Sequence, residues 1–332
     1  GDWSSDVCSS DLAMRNFAVL ALTGLVLVGL ALAAGHWYAR PKPVTPNAAP
    51  VPPPDGALRV YHLGHSLVGR DMPAMLAQLA VAAGHANHAF DSQLGWGTPL
   101  RTHWYPDVGI AGFETENDHP RFRPAHEAIA SGEYDAVILT EMLGLRDAIR
   151  YHDSPTYFRE WARAARQARP DVRVYLYETW HPYEGRDAWL AALDTDPAAL
   201  WQGRVLAPSW ADEGLGPVHV IPAGRVLAAF TRALNDMGGL PGMTDETALF
   251  ERNEAGALDN IHLNDQGSYL VALTHFAVLY QRPVEGLPHA LLRADGSAAD
   301  SPSPQAAALM QRVVWQVVST TPFTGINGEP GA

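Results

Sequence analysis

From Leu58 onward, short apolar runs alternate with amphipathic stretches of helical period, and this alternation leaves the chain few possible folds. Strands that each feed a helix-like stretch pair in parallel through crossover helices, because a tight hairpin can join only antiparallel neighbours. Strands are expected over residues 58–63, 88–94, 134–140, 172–177 and 218–221. Helices are expected over 72–83 (stopped at Gly84), 155–168 (stopped before Pro170), 223–234, 265–280 and 304–318. The expected fold class is α/β, with a mainly parallel five-stranded sheet. Residues 184–216 carry Trp189, Trp201 and Trp210 among acidic and small residues. They read either as an insertion lying over a site like a lid or as an ordinary crossover helix.

Two short motifs stand at opposite ends of this alternating region. Leu63-Gly64-His65-Ser66-Leu67 closes the first strand, and Asp259-Asn260-Ile261-His262-Leu263-Asn264 precedes the helix of residues 265–280. A serine hydroxyl becomes a nucleophile near neutral pH only beside a base, and an imidazole base needs a carboxylate to fix its tautomer. Asp259 lies three residues before His262, so one turn can bring its carboxylate to the far ring nitrogen. Ser66, His262 and Asp259 are therefore the candidate catalytic residues, and the chemistry they suit is serine hydrolysis.

A strand, then Gly-x-Ser-Leu, then a late Asp-x-x-His before a helix resembles the SGNH/GDSL hydrolase superfamily, over about residues 58–282. The resemblance implies a flavodoxin-like three-layer α/β/α sandwich, with Ser66 as nucleophile, His262 as base and Asp259 as orienting carboxylate. It also implies oxyanion donors at Ser66 and at a glycine, for which Gly95 and Gly97 both fit and Gly97 is preferred. The chain departs from the family at two points. His65 stands where the family has an aspartate. The family's oxyanion asparagine has no counterpart, because no asparagine occurs between Asn117 and Asn235. Thr140 or backbone N–H groups are the available substitutes.

Ligands of open α/β sheets gather beyond the carboxyl ends of the strands. Glu141, Glu178, Trp180, His181 and His103 follow such ends and are candidates for substrate contact, with satisfied polar clusters as the plain alternative. His85 and His88 lack a third ligand, so no metal is expected. Glycine fingerprints for phosphate or dinucleotide binding are absent, and no cofactor is expected.

The formal charge of −13 argues against nucleic acid as a partner. The single cysteine, Cys8, rules out an internal disulfide. Residues 1–13 read as a translated adapter artefact, with the natural start at Met14. Arg15 and the 18-residue apolar run 17–34, followed by Trp37, Tyr38 and Arg40, read as a signal anchor within residues 14–40. A cleaved signal peptide is the competing reading, because Ala31-Leu32-Ala33 fits a small-residue cleavage site. Either way the body, residues 57–326, is expected in the bacterial cell envelope: anchored to the inner membrane with a periplasmic domain, or secreted after cleavage. Residues 41–56, with seven prolines from Pro41 to Pro54, read as a stiff linker. The expected partners are the membrane, through the N-terminal segment, and a small-molecule or polysaccharide ester. The leading expectation is an exported serine esterase acting on O-acetyl groups of a saccharide or envelope polymer. The alternatives are an inactive binding or assembly protein of the same fold, and a lipase or thioesterase.

Overall fold

The computed structural model describes residues 45–105 and 107–326. The expected anchor or signal segment and the artefact before it lie outside these residues. No helix among the described residues is long and apolar enough to cross a membrane.

The five expected strands form one sheet: β1 (Arg59–His65), β2 (Ala89–Gly95), β3 (Ala136–Leu139), β4 (Arg173–Glu178) and β5 (Val218–Pro222). Their order is β2-β1-β3-β4-β5, and all four pairings are parallel. β3 is buried at every position, as its unbroken Ala-Val-Ile-Leu run requires of a strand covered on both faces. The chain leaves β1 toward β2 on one side and returns to β3 on the other. The crevice beyond the ends of β1 and β3 is thus the sheet's topological switch point.

The helical layers follow the apolar periodicity. On one face lie α1 (Asp71–Ala82), α4 (Ala223–Asp236), α5 (Asp265–Tyr280) and α6 (Pro304–Thr320); on the other lies α2 (Ser154–Ala168) with the short helices Leu100–Trp104, Ala125–Ala130 and Leu145–Tyr151. In α5 every residue from Tyr269 to Tyr280 is buried, as befits a helix apolar on all sides. Its two buried polar side chains bond back to their own helix: Thr274 Oγ1–H to the Leu270 carbonyl (2.9 Å) and His275 Nδ1–H to that of Val271 (2.9 Å).

Residues 184–216 form the connection between β4 and β5: α3 (Arg186–Asp196), a π-helical stretch Pro197–Leu206 and the short helix Ala207–Trp210. Trp189, Trp201 and Trp210 are all buried. The indole N–H groups of Trp189 and Trp210 are satisfied by the carbonyls of His181 (2.8 Å) and Val218 (3.2 Å). Of the two readings of this segment, the crossover is the one that forms. A short antiparallel hairpin is a further element, β6 (Phe250–Arg252) with β7 (Leu258–Leu263).

The proline-rich stretch is not wholly a free linker. Residues 47–52 run along the β5 edge: the carbonyl of Asn47 accepts the Val218 N–H (3.0 Å) and that of Ala49 the His219 Nε2–H (2.9 Å). Val51 N–H donates to Gly325 (3.0 Å), and the Pro52 carbonyl accepts from Arg173 (2.8 Å). An open edge strand is a template for pairing with other chains, and this strap covers it. Four hydrogen bonds at about 0.5–1.5 kcal/mol each should matter. A chain starting at residue 56 is expected to melt about 4–12 °C below one starting at residue 45 and to aggregate more readily. Coincident melting curves would contradict a structural strap.

Candidate active site

Ser66 emerges directly from β1, and His262 sits on β7 just before α5. His262 Nε2 lies 3.1 Å from Ser66 Oγ, and Nδ1 lies 2.8 Å from Asp259 Oδ2. With Nδ1–H donating to the carboxylate, Nε2 is left to accept the serine proton. Sequence reading placed Asp259 and His262 on a turn. They lie instead on a strand whose local geometry is turn-like, because Asp259 Oδ1 accepts the N–H groups of Ile261 (2.9 Å) and His262 (3.0 Å). Partial burial pushes the Asp259 pKa up, but the His262 backbone and ring N–H groups, with that of Ile261, outweigh it and hold the carboxyl below its usual range.

Three contacts fix the His262 strand. Trp180 Nε1–H donates to the Ile261 carbonyl (2.8 Å), and Tyr183 N–H donates to that of Asn260 (2.6 Å). Asn264 caps α5, its side-chain oxygen accepting the N–H groups of Gln266 and Gly267 while Nδ2 donates to Ala248 and Phe250. The imidazole is thus braced from the loop after β4, from the hairpin and from the helix start.

Ser66 and His262 open onto a cavity of about 570 Å³. Gly97 and Trp180 line it, together with Arg70, Asp71, Trp96, Glu116, Leu143 and Glu251. Gly97 has φ +53°, a left-handed turn conformation that an L side chain rarely adopts. The N–H groups of Ser66 and Gly97 donate to no acceptor among the described residues. Gly95 ends β2 and does not line the cavity; a side chain there would strike Ile110 and Thr98. Thr140 is fully buried and packs on Gly64 away from the cavity lining.

Four of the expected substrate contacts have structural surroundings instead. Glu141 is fully buried, its Oε1 accepting N–H from Met142 (2.8 Å) and Leu100 (3.3 Å). Burial pushes its carboxyl up to about 7 against those bonds. Glu178 is likewise buried and pairs with Arg225 (3.2 Å); burial raises it to about 7. His181 faces Asp196 (3.2 Å). His103 lies beneath β1, with Nε2–H donating to the Gly64 carbonyl (2.9 Å) and Nδ1 accepting from Gln93 (2.9 Å). Of the five candidates, Trp180 alone reaches the cavity.

Sequence reading assigned no site role to Trp96, Arg70, Glu116 or Glu251. Trp96 sits in the Gly-Trp-Gly turn that carries Gly97, a signal within reach, whereas Glu251 lies on the hairpin that polar composition hid. His65 is buried: Nδ1 accepts the Leu67 N–H (3.3 Å), and Nε2–H donates to the Glu141 carbonyl (2.8 Å). It ties the end of β1 to the end of β3.

No family model matches the chain, and no curated protein is significantly similar to it. Solved structures do resemble it. A DUF4886 family protein from Bacteroides uniformis aligns over 82% of this chain and 100% of its own with 17% identity and a TM-score of 0.50. A family 3 carbohydrate esterase from Clostridium thermocellum aligns over 66% and 94% with 16% identity and a TM-score of 0.33. A phospholipase A1 from Streptomyces albidoflavus aligns over 63% and 93% with 14% identity and a TM-score of 0.30. At these identities the likeness is one of fold, carried by the first of the three.

The floor of the site should be sensitive to acid. Burial lowers His65 and His103 from 6.5 to about 4, so both are neutral in the fold. A depressed folded-state pKa means that the unfolded chain binds the proton first; stability is full above 6.5 and is lost as pH falls toward 4. Each histidine should cost roughly 2 kcal/mol by pH 5. The melting temperature is expected to fall across this window, and less steeply in His103→Gln. A flat profile between pH 6.5 and 4 would contradict the neutral, buried assignment.

Proposed function

We propose that the protein is a serine hydrolase of the SGNH type that cleaves a carboxylic ester through Ser66, His262 and Asp259. The observation that carries this reading is the continuous hydrogen-bonded chain from Asp259 through His262 to Ser66, ending on an open cavity. Serine, base and orienting carboxylate at these distances are what nucleophilic acyl transfer requires.

In the proposed cycle His262 Nε2 takes the Ser66 proton as Oγ bonds to the acyl carbon. The oxyanion is held by the N–H groups of Ser66 and Gly97. Collapse breaks the bond to the alcohol oxygen, which leaves with the proton from Nε2. Water, deprotonated by the same nitrogen, then attacks the acyl-serine and releases the carboxylic acid. Asp259 stays ionised throughout, consistent with its lowered pKa.

With no asparagine at the end of β3, the oxyanion has two backbone donors and no side-chain donor. A missing donor costs about 100- to 1000-fold in rate, which leaves an enzyme that is slow but active. Arg70, Asp71, Glu116 and Glu251 around the cavity suit a polar alcohol and a short acyl group better than the apolar groove a lipase or acyl thioesterase needs. The proposed place of action is the bacterial cell envelope, on the strength of the apolar run 17–34.

Turnover of a short acetyl ester tests the assignment. Ser66→Ala should reduce kcat/KM to background, and Asp259→Asn should lower kcat by about 100- to 10,000-fold by releasing the wrong imidazole tautomer. Thr140→Val, with its hydroxyl remote from the cavity, should stay within about threefold of the parent. Full activity in Ser66→Ala would end the proposal. A parent inactive on acetyl, acyl and thioester panels would favour a binding protein of this fold.

A further inference from the structure

Trp96 is the most exposed indole among the described residues, where Trp104 and Trp315 are half-buried. Trp161, Trp180, Trp189, Trp201 and Trp210 are all buried, yet Trp96 is 54% exposed at the cavity that holds Ser66. It is not loose. One face of its ring lies against Gly112, where an added Cβ would come within 2.3 Å of the ring. Its Nε1–H is taken by Glu116 Oε1 at 2.8 Å, and its backbone N–H by the Ala111 carbonyl at 2.7 Å. Arg70 holds the same segment through the Thr115 carbonyl. With one face sealed and its polar atom engaged, what the indole offers the cavity is rigid apolar π surface. The next residue is Gly97, so this surface stands one position from the proposed oxyanion donor.

A fixed, half-exposed indole suits a ligand with a flat apolar face and polar edges. A pyranose ring has both: axial C–H groups on one face, which stack on an aromatic ring, and hydroxyls at its rim. Asp71, Glu116, Glu251 and Arg70 line the same cavity and supply partners for those hydroxyls. Three carboxylates against one guanidinium favour an uncharged sugar over a uronate or a phosphorylated one.

Resting on the hydrolase reading above, we infer that Trp96 is the specificity-determining platform of the site, stacking a neutral pyranose whose O-acyl group is presented to Ser66. The sugar is the alcohol side of the ester: its oxygen leaves from the acyl carbon and takes the proton from His262.

The experiment compares acetylated xylo-oligosaccharides with ethyl acetate, which has no ring to stack. Trp96→Ala should lower the ratio of kcat/KM for the saccharide to that for ethyl acetate by about tenfold or more, chiefly through KM, and Trp96→Phe should restore most of it. An unchanged ratio, or no parental turnover of the saccharide beside turnover of ethyl acetate, would overturn the platform. So would parental preference for acetylated polygalacturonate over the neutral oligosaccharide. Calorimetric binding of acetylated xylotetraose to Ser66→Ala separates the two proposals. Binding weakened about tenfold or more in Ser66→Ala/Trp96→Ala upholds the platform even if the parent turns over neither ester, in which case the hydrolase reading alone fails. Equal binding by the two variants overturns it.

Discussion

Strand β1 is hydrogen-bonded along both edges, to β2 on one side and β3 on the other, with Val60 to Leu63 in register with both neighbours. That placement fixes three things at once. Ser66 leaves the sheet where the strand order reverses, and so meets the crevice that this topology opens. His65 pairs in register with Gly95, which puts the turn bearing Trp96 and Gly97 beside the serine. The end of β3, with Thr140 and Glu141, packs behind the serine loop.

The candidate site rests on buried polar groups that do not line its cavity. Glu141 receives the N–H of Leu100, at the start of the helix after the Gly97 turn, while its carbonyl receives the His65 ring N–H. His103 holds Gly64 from below. A buried polar group is costly unless bonded, and each of these bonds joins the serine loop, the glycine turn or the end of β3 to its neighbour. The histidine side is assembled separately, by Trp180, Tyr183 and the Asn264 cap. Two independently braced halves thus meet across the 3.1 Å contact between Ser66 and His262.

Much of this was legible in the residues. β1, β3, β4 and β5 showed because each is a largely apolar run buried within the sheet. β2, with Asp91, Ser92 and Gln93 at its centre, showed instead through the turn-rich residues 95–99 that follow it. α5 showed because it is apolar on nearly every side. The proximity of Ser66, Asp259 and His262 was legible because the proposed nucleophilic chemistry restricts both residue type and spacing. Burial of polar groups was not legible. Glu141, Glu178 and His103 follow or flank strand ends, where ligand contacts and satisfied core groups look alike until their partners are known. The β6–β7 hairpin escaped notice because Leu258–Leu263 is half-buried without clean alternation. The strap of residues 47–52 escaped because proline-rich sequence signals extension without saying what it lies against.

The central claim is that His262 activates Ser66, and covalent capture tests it directly. The folded protein would be treated with a fluorophosphonate and its mass and peptide map recorded, beside His262→Ala as a control. The account predicts a single phosphonyl adduct on the peptide containing Ser66, strongly slowed in His262→Ala. No adduct, or an adduct elsewhere with Ser66 unmodified, would contradict it.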